Sequence, residues 1–210
     1  MKALWTSAEA RAFDAHVTET SGLPSLLLME NAGWGAFHAA LAMCPDASGV
    51  VTVVCGPGQN GGDGWVVARL FAMETRAVVR VLTVGDLASG DARLQRAAYE
   101  QIVGPATPSE GADSVALQAF FDTSDVVVDA LFGTGLARDV GGEARRVIES
   151  MNTSRAPVIA LDVPSGIDAD TGQRRGTCVY AKRTVTFGAE KRGLRAADGV
   201  NASGEILVAS

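Results

Sequence analysis

The chain has 210 residues, with 18 Lys and Arg against 24 Asp and Glu, for a formal net charge of −6. A chain of this length builds one self-sufficient domain that buries roughly 70% of its unfolded surface without disulfide or metal staples. Its 47% hydrophobic and 20% charged residues suit an ordinary soluble fold and contain no bilayer-spanning run, while the acidic balance argues against a nucleic-acid backbone as partner.

Cys44, Cys55 and Cys178 show no C-x-x-C spacing, and only His16 and His38 accompany them, so a zinc site is not expected. Each cysteine lies in an apolar stretch, which reads as a buried small hydrophobe in a reducing compartment. The N-terminus turns polar directly after Trp5 and lacks the apolar core of a secretory signal. The expected location is the cytoplasm.

In chain order, the first predicted elements are helices over Ser7 to Thr20 and Pro24 to Met43, with Ser7 as a cap and Pro24 in a first turn. From residue 50, short β-branched runs alternate with longer amphipathic stretches. Strands are predicted over Val50 to Cys55, Ala77 to Val84, Val126 to Leu131, Pro157 to Asp162, Thr184 to Phe187 and Ile206 to Val208. Helices between them are predicted over Gly64 to Thr75, Ala88 to Ile102, Ser114 to Phe121 and Gly142 to Met151. Four of the strands are almost continuously apolar, as parallel strands covered on both faces must be. The pattern is that of a doubly wound α/β fold.

Open α/β sheets bind ligands beyond the carboxyl ends of their strands, so the residues after each apolar run carry the information. Gly56 to Gly64 follows the first strand, Asp129 with Gly133-Thr134-Gly135-Leu136 closes the third, and Asp162 to Asp168 closes the fourth. The three loops are expected on one rim. Gly56-x-Gly58-x-x-Gly61 matches the dinucleotide fingerprint, but Asn60 and Asp63 stand where a bare helix N-terminus would hold pyrophosphate, and Asp63 would compete for its N–H donors. No Lys-Ser or Lys-Thr follows the glycines, which disfavours a phosphate-loop hydrolase. The loop from Gly133 to Asp139, with Arg138, is a more permissive anion cradle.

Asn60, Asp129 and Ser165 offer hard oxygen ligands from three loops, a set suited to an alkali or alkaline-earth cation. Asp162 then remains free for proton transfer. His16 and His38 fall on the N-terminal helices, away from the strand ends, so no Ser-His-Asp arrangement is expected.

The blocks Leu28 to Gly33, Gly58 to Gly64, Asp129 to Leu136, Asp162 to Gly172, and Thr184 to Gly188 with Lys191 occur in one order across nearly the whole chain. Together they closely resemble the YjeF N-terminal domain family, the NAD(P)H-hydrate epimerases. The resemblance implies one domain over 1–210, a three-layer α/β/α Rossmann-like sandwich with a mostly parallel sheet and N-terminal helices, often dimeric. It implies interconversion of the R and S forms of NADHX and NADPHX, nicotinamide cofactors hydrated at the 6-position. By motif, Gln59, Asn60, Gly61, Gly62, Asp63, Gly133, Thr134, Gly135, Leu136, Ala137, Arg138, Asp139 and Asp162 would bind this nucleotide. Asn60, Asp129 and Ser165 would hold potassium, Asp162 would be the acid/base, and Lys191 a phosphate contact or a rim charge. Functional coupling to an ATP- or ADP-dependent NAD(P)HX dehydratase, fused in many bacterial members, is also implied.

The chain departs from the family pattern at Gln59 and at Lys182, where Asn and Asp are usual, and neither change removes a proposed ligand. Two other readings remain: a noncatalytic scaffold, as the same domain type provides in mRNA-decapping proteins, and an ordinary NAD-dependent oxidoreductase with Asp86 on the ribose. The complete set of Asn60, Asp63, Asp129, Asp162 and Ser165 argues against the first. The second lacks a recognisable proton donor.

Overall fold

A computed structural model of the protein describes residues 3–44, 47–85 and 90–209. Nine strands and seven helices occur among these residues. In chain order they are β1 (Leu4–Trp5), α1 (Ser7–Ser21), α2 (Ser25–Leu41), β2 (Val50–Cys55), α3 (Gln59–Glu74), β3 (Val78–Thr83), α4 (Asp91–Ile102) and β4 (Thr107–Pro108). There follow α5 (Ser114–Asp122), β5 (Val126–Ala130), α6 (Gly142–Thr153), β6 (Val158–Leu161), β7 (Arg183–Phe187), β8 (Glu190–Lys191), α7 (Gly199–Ala202) and β9 (Glu205–Ala209). Asp86, and the first two residues of the helix predicted from Ala88, lie outside the described residues.

Seven strands form one sheet in the order β4-β3-β2-β5-β6-β7-β9, every pair parallel. The β-branched composition of β2 and β5 suits such doubly covered strands. Period-two alternation sends their side chains to two cores. Val51, Val53, Val126, Val128, Ile159 and Leu161 pack with Phe37, Leu70 and Phe71 of α2 and α3. Val54, Val127, Val158 and Ala160 pack with Leu117, Phe121, Val147 and Ile148 of α5 and α6. The three-layer α/β/α sandwich is therefore realised. No described helix is long and apolar enough to cross a membrane.

The chain winds outward from β2 through β3 to β4, then returns to β5 on the other side of β2. The segments leaving β2 and β5 consequently diverge and open a crevice at their carboxyl ends.

Two boundaries differ from expectation in ways that matter for the site. Helix α3 begins at Gln59, five residues before the predicted Gly64, so that Gln59 to Asp63 form its first turn. The glycines permit this by close backbone packing: a Cβ on Gly61 would overlap the Gly56 carbonyl, and one on Gly56 the Leu131 carbonyl. Helix α1 is capped by Thr6 instead of Ser7. The Thr6 hydroxyl accepts the Glu9 N–H at 3.1 Å while Glu9 accepts the Thr6 N–H at 2.7 Å, and Gly22 ends the helix at φ 67°. The very short β1, β4 and β8 have no sequence signal of their own; β1 pairs with β8 in a separate parallel ladder, Leu4 opposite Glu190 and Trp5 opposite Lys191.

Candidate active site

A cavity of about 580 Å³ occupies the crevice at the β2/β5 switch point. It is lined by Pro57 to Asn60 and Asp63 from the start of α3, by Leu131 to Arg138 after β5, and by Asp162 after β6. Three strand ends thus share one rim, as the sequence predicts. Among the proposed nucleotide-binding residues, Gly61, Gly62 and Asp139 do not line it. Gly61 and Gly62 are buried packing positions, where a Cβ would overlap the Gly56 carbonyl and the Met29 side chain respectively.

The first turn of α3 presents its N-terminus to the cavity, with Gly58 as a cap that offers no side-chain acceptor. Such an end favours an anionic ligand. Sequence reasoning places Asp63 in competition for these donors; the structure corrects this, because the earlier start of α3 moves Asp63 to the fifth helical position. Among the described residues its carboxyl makes no hydrogen bond. Burial, then the charges of Asp162 and Asp14, push the Asp63 carboxyl well above the usual range, and Lys191 only partly opposes them.

Asp162 sits at φ 64°, a left-handed conformation unusual for a residue with a Cβ, fixed by its N–H donating 2.7 Å to the Val185 carbonyl. Its Oδ1 receives Lys191 Nζ at 2.8 Å. Lys191 is only 2% exposed and also donates to Thr186 Oγ1 at 3.0 Å and the Phe187 carbonyl at 2.7 Å. It lines the cavity but is buried instead of standing on the rim, with its three ammonium donors engaged by Asp162, Thr186 and Phe187. Asp162 Oδ2 points toward Gly133, where a Cβ would come within 3.2 Å of that oxygen and 3.3 Å of Asn60 Cβ.

Asp129 and Ser165 are fully buried and joined directly. Ser165 donates its N–H to Asp129 Oδ2 at 2.8 Å and its hydroxyl to Oδ1 at 2.6 Å, while accepting the Phe132 N–H at 2.8 Å. Burial nevertheless raises the Asp129 carboxyl to about 6, against the hydrogen bonds from Ser165 and Leu131. Asn60 is 7% exposed, and among the described residues neither its Oδ1 nor its Nδ2 has a hydrogen-bond partner. A buried amide without partners carries a cost of a few kcal/mol unless something else engages it.

The N-terminal segment supplies lining that sequence reasoning missed: Trp5, Ala10, Arg11 and Asp14. The β1/β8 ladder and the tilted packing of Trp5 against Phe13, centroids 5.0 Å apart, bring it over the cavity. Arg11 and Asp14 are three apart on one face of α1, and that spacing is the only local signal they carry.

Comparison with known proteins bears on this arrangement. Residues 25–193 match the family described as YjeF-related protein N-terminus. A protein of Limosilactobacillus fermentum named NAD(P)H-hydrate epimerase is 39% identical over 97% of this chain and 94% of its own length. A bifunctional NAD(P)H-hydrate repair enzyme of Pyrobaculum aerophilum is 40% identical over 97% of this chain, which spans 40% of that protein. The crystal structure of yeast ynu0 superposes with a TM-score of 0.77 over 98% of this chain and 87% of that one at 20% identity, a likeness of fold.

Proposed function

The chain belongs to the family of YjeF-related protein N-termini, and we propose that it is an NAD(P)H-hydrate epimerase, an isomerase that interconverts the R and S forms of NADHX and NADPHX. The carrying observation is the Asp162 carboxylate, held by the buried Lys191 on the wall of a 580 Å³ cavity beside an α3 N-terminus and the Gly133 to Arg138 loop. A nucleotide needs both: a cradle for its phosphates and a proton-transfer group at the carbon to be inverted. In this reading the backbone of Gln59 and Asn60 and the Gly133, Thr134, Gly135, Leu136, Ala137 and Arg138 loop hold the nucleotide. Asp162 Oδ2, free of hydrogen bonds among the described residues, takes or gives the proton.

A potassium ion fits the residues present. Among the described residues Asn60 has an unpartnered buried oxygen, Asp129 is a buried carboxylate with no cationic side chain bonded to it, and Ser165 adds a hydroxyl. These are hard oxygen donors of the kind alkali cations take. Bound there, the ion would supply positive charge that offsets the buried carboxylate and favours a nearby anionic ligand. The three buried free cysteines support a reducing, cytoplasmic setting. Supply of S-form substrate to an ATP- or ADP-dependent dehydratase is the functional partnership, supported by the bifunctional relatives; a homodimer is part of the same reading.

The test starts from NADPHX of mixed stereochemistry, with an S-specific dehydratase and its nucleotide run until recovery of reduced-cofactor absorbance stops. Adding this protein should restart recovery well above the spontaneous rate, and more so in potassium than in sodium buffer. Absence of recovery from folded protein would transfer the reading to a noncatalytic binding module. Substantial epimerisation by a folded Asp162→Asn variant would remove Asp162 from the chemistry.

A further inference from the structure

Inverting the carbon that carries the hydroxyl requires a proton donor as the hydroxyl leaves and a proton acceptor as water returns on the other face. One carboxylate already bonded to a lysine does not fill both roles at once. The cavity holds a second candidate. Asp63, on the first turns of α3, lines the same cavity as Asp162. It has no hydrogen bond among the described residues, whereas Asp162 has Lys191 on Oδ1. Two carboxyls near one another, only one of them with a cation bonded to it, do not both ionise readily. Lys191 bonds to Asp162 and not to Asp63, and burial together with the neighbouring acids raises the Asp63 carboxyl, so Asp63 is the group that holds a proton. Asp14, reaching in from α1, adds a second negative neighbour that keeps it there.

We propose that Asp63 is a catalytic acid/base that works with Asp162, the two carboxyls serving opposite faces of the hydrated nicotinamide ring. This rests on the epimerase reading. Asp63 gives its proton to the C6 hydroxyl; the C6–O bond breaks, its electron pair leaves with water, and the N1 lone pair forms N1=C6. A water then adds to the opposite face of C6 with an oxygen lone pair, the N1=C6 pair returns to N1, and the water's extra proton passes to Asp162 Oδ2. The opposite epimer runs the same steps with the two carboxyls exchanged, and nothing is oxidised or reduced. Gly133 suits this scheme, because a bare Cα beside Asp162 Oδ2 and Asn60 leaves room for ring and water next to the Asp162 carboxyl.

The experiment follows single epimers of NADHX in water labelled with oxygen-18, with wild-type protein, Asp63→Asn and Asp63→Glu, each checked for native circular dichroism. Wild type should place one labelled oxygen at C6 for every inversion. Asp63→Asn should lose about 100-fold or more in kcat with KM little changed, the range for removing a general acid, and Asp63→Glu should retain part of the rate. Wild-type inversion without label, or Asp63→Asn with wild-type kcat, would overturn the proposal while leaving the epimerase assignment intact. A change confined to KM would reduce Asp63 to a binding contact and overturn it equally. Wild type that inverts neither epimer would overturn both readings. The labelling arm uses only wild type, so a variant that fails to fold does not remove the test.

Discussion

Asp170, in the loop after β6, accepts both the backbone N–H and the hydroxyl of Ser7 at 2.6 and 2.7 Å, clamping the N-terminus of α1 from 163 residues away. A carboxylate at a helix N-terminus is favourable in its own right. Here it also sets where Arg11 and Asp14 reach the cavity, because Ser7 is the one buried residue of α1.

Asp170→Ala should therefore cost about 1 kcal/mol of stability, as loss of a cap does. Its larger effect should be on the N-terminal segment: faster proteolytic cleavage within α1 and a KM raised several-fold, with kcat changed less. Asp170→Asn keeps one acceptor oxygen and should fall between. Equal protease resistance in Asp170→Ala and wild type would show that β1 and β8 hold the segment without the clamp.

Lys191 offers a sharper case. Its side chain and that of Asp162 are 3% and 13% exposed, so removing the ammonium leaves a mostly buried carboxylate and two carbonyl or hydroxyl acceptors without their donor. Lys191→Met should lose about 3 kcal/mol in urea unfolding and nearly all activity. Lys191→Arg keeps the charge but brings a planar fork in place of a compact donor to three acceptors, and should be poorly active though more stable than the Met variant. An active Lys191→Met enzyme would mean that Asp162 needs no lysine to hold it.

These residues also mark where sequence reading succeeds and stops. The strands of the central sheet apart from β4, and the loops after β2, β5 and β6, were readable because β-branched runs bounded by glycine specify strand and turn locally. Asp129 and Asp162 stood out because carboxylates at the end of an apolar run need a partner. The depth of Lys191 was not readable, since it follows from the turn between β7 and β8 folding back on Asp162. Nor was the part played by Trp5, Arg11 and Asp14, which depends on the contact with Asp170 and the ladder with β8, both distant in sequence. The start of α3 was missed because five glycines in nine residues read as a loop, whereas Gly61 and Gly62 lie in the first turn of the helix and Gly61 packs against the Gly56 carbonyl.

The loop that carries Asp170 should show a pH signature. Burial tends to raise the Asp168 carboxyl, but Arg175, bonded through Nε at 3.1 Å and through Nη2, outweighs it. With the N–H groups of Thr171 and Asp170 at 2.8 and 3.0 Å, Arg175 holds the group at about 2, below its ordinary 3.8. A carboxylate depressed in the folded state adds stability that is present above its unfolded value and is lost as pH falls through its folded one. Part of the Tm should therefore disappear between about pH 4 and pH 2. Arg175→Gln should lower the Tm at neutral pH and flatten that part of the profile; an unchanged acid profile would deny Asp168 this role.

Gly61 and Gly133 should respond very differently to one added methyl group. At Gly61 a Cβ would meet the Gly56 carbonyl oxygen and carbon, backbone atoms that the β2-to-α3 connection fixes. Gly61→Ala should therefore displace the start of α3, with a stability loss of about 1–3 kcal/mol typical of overpacking, and should abolish activity through misplacement of Asn60 and Asp63. At Gly133 the nearest atoms the methyl would meet belong to side chains, Asp162 Oδ2 at 3.2 Å and Asn60 Cβ and Cγ at 3.3 Å. Those groups give by a few tenths of an ångström, so Gly133→Ala should fold with nearly wild-type Tm. Its methyl would still intrude between the two site residues, and kcat/KM should drop at least tenfold while the far-ultraviolet circular dichroism stays native. A fully active Gly133→Ala would show that the reacting ring does not use the space beside Asp162 Oδ2.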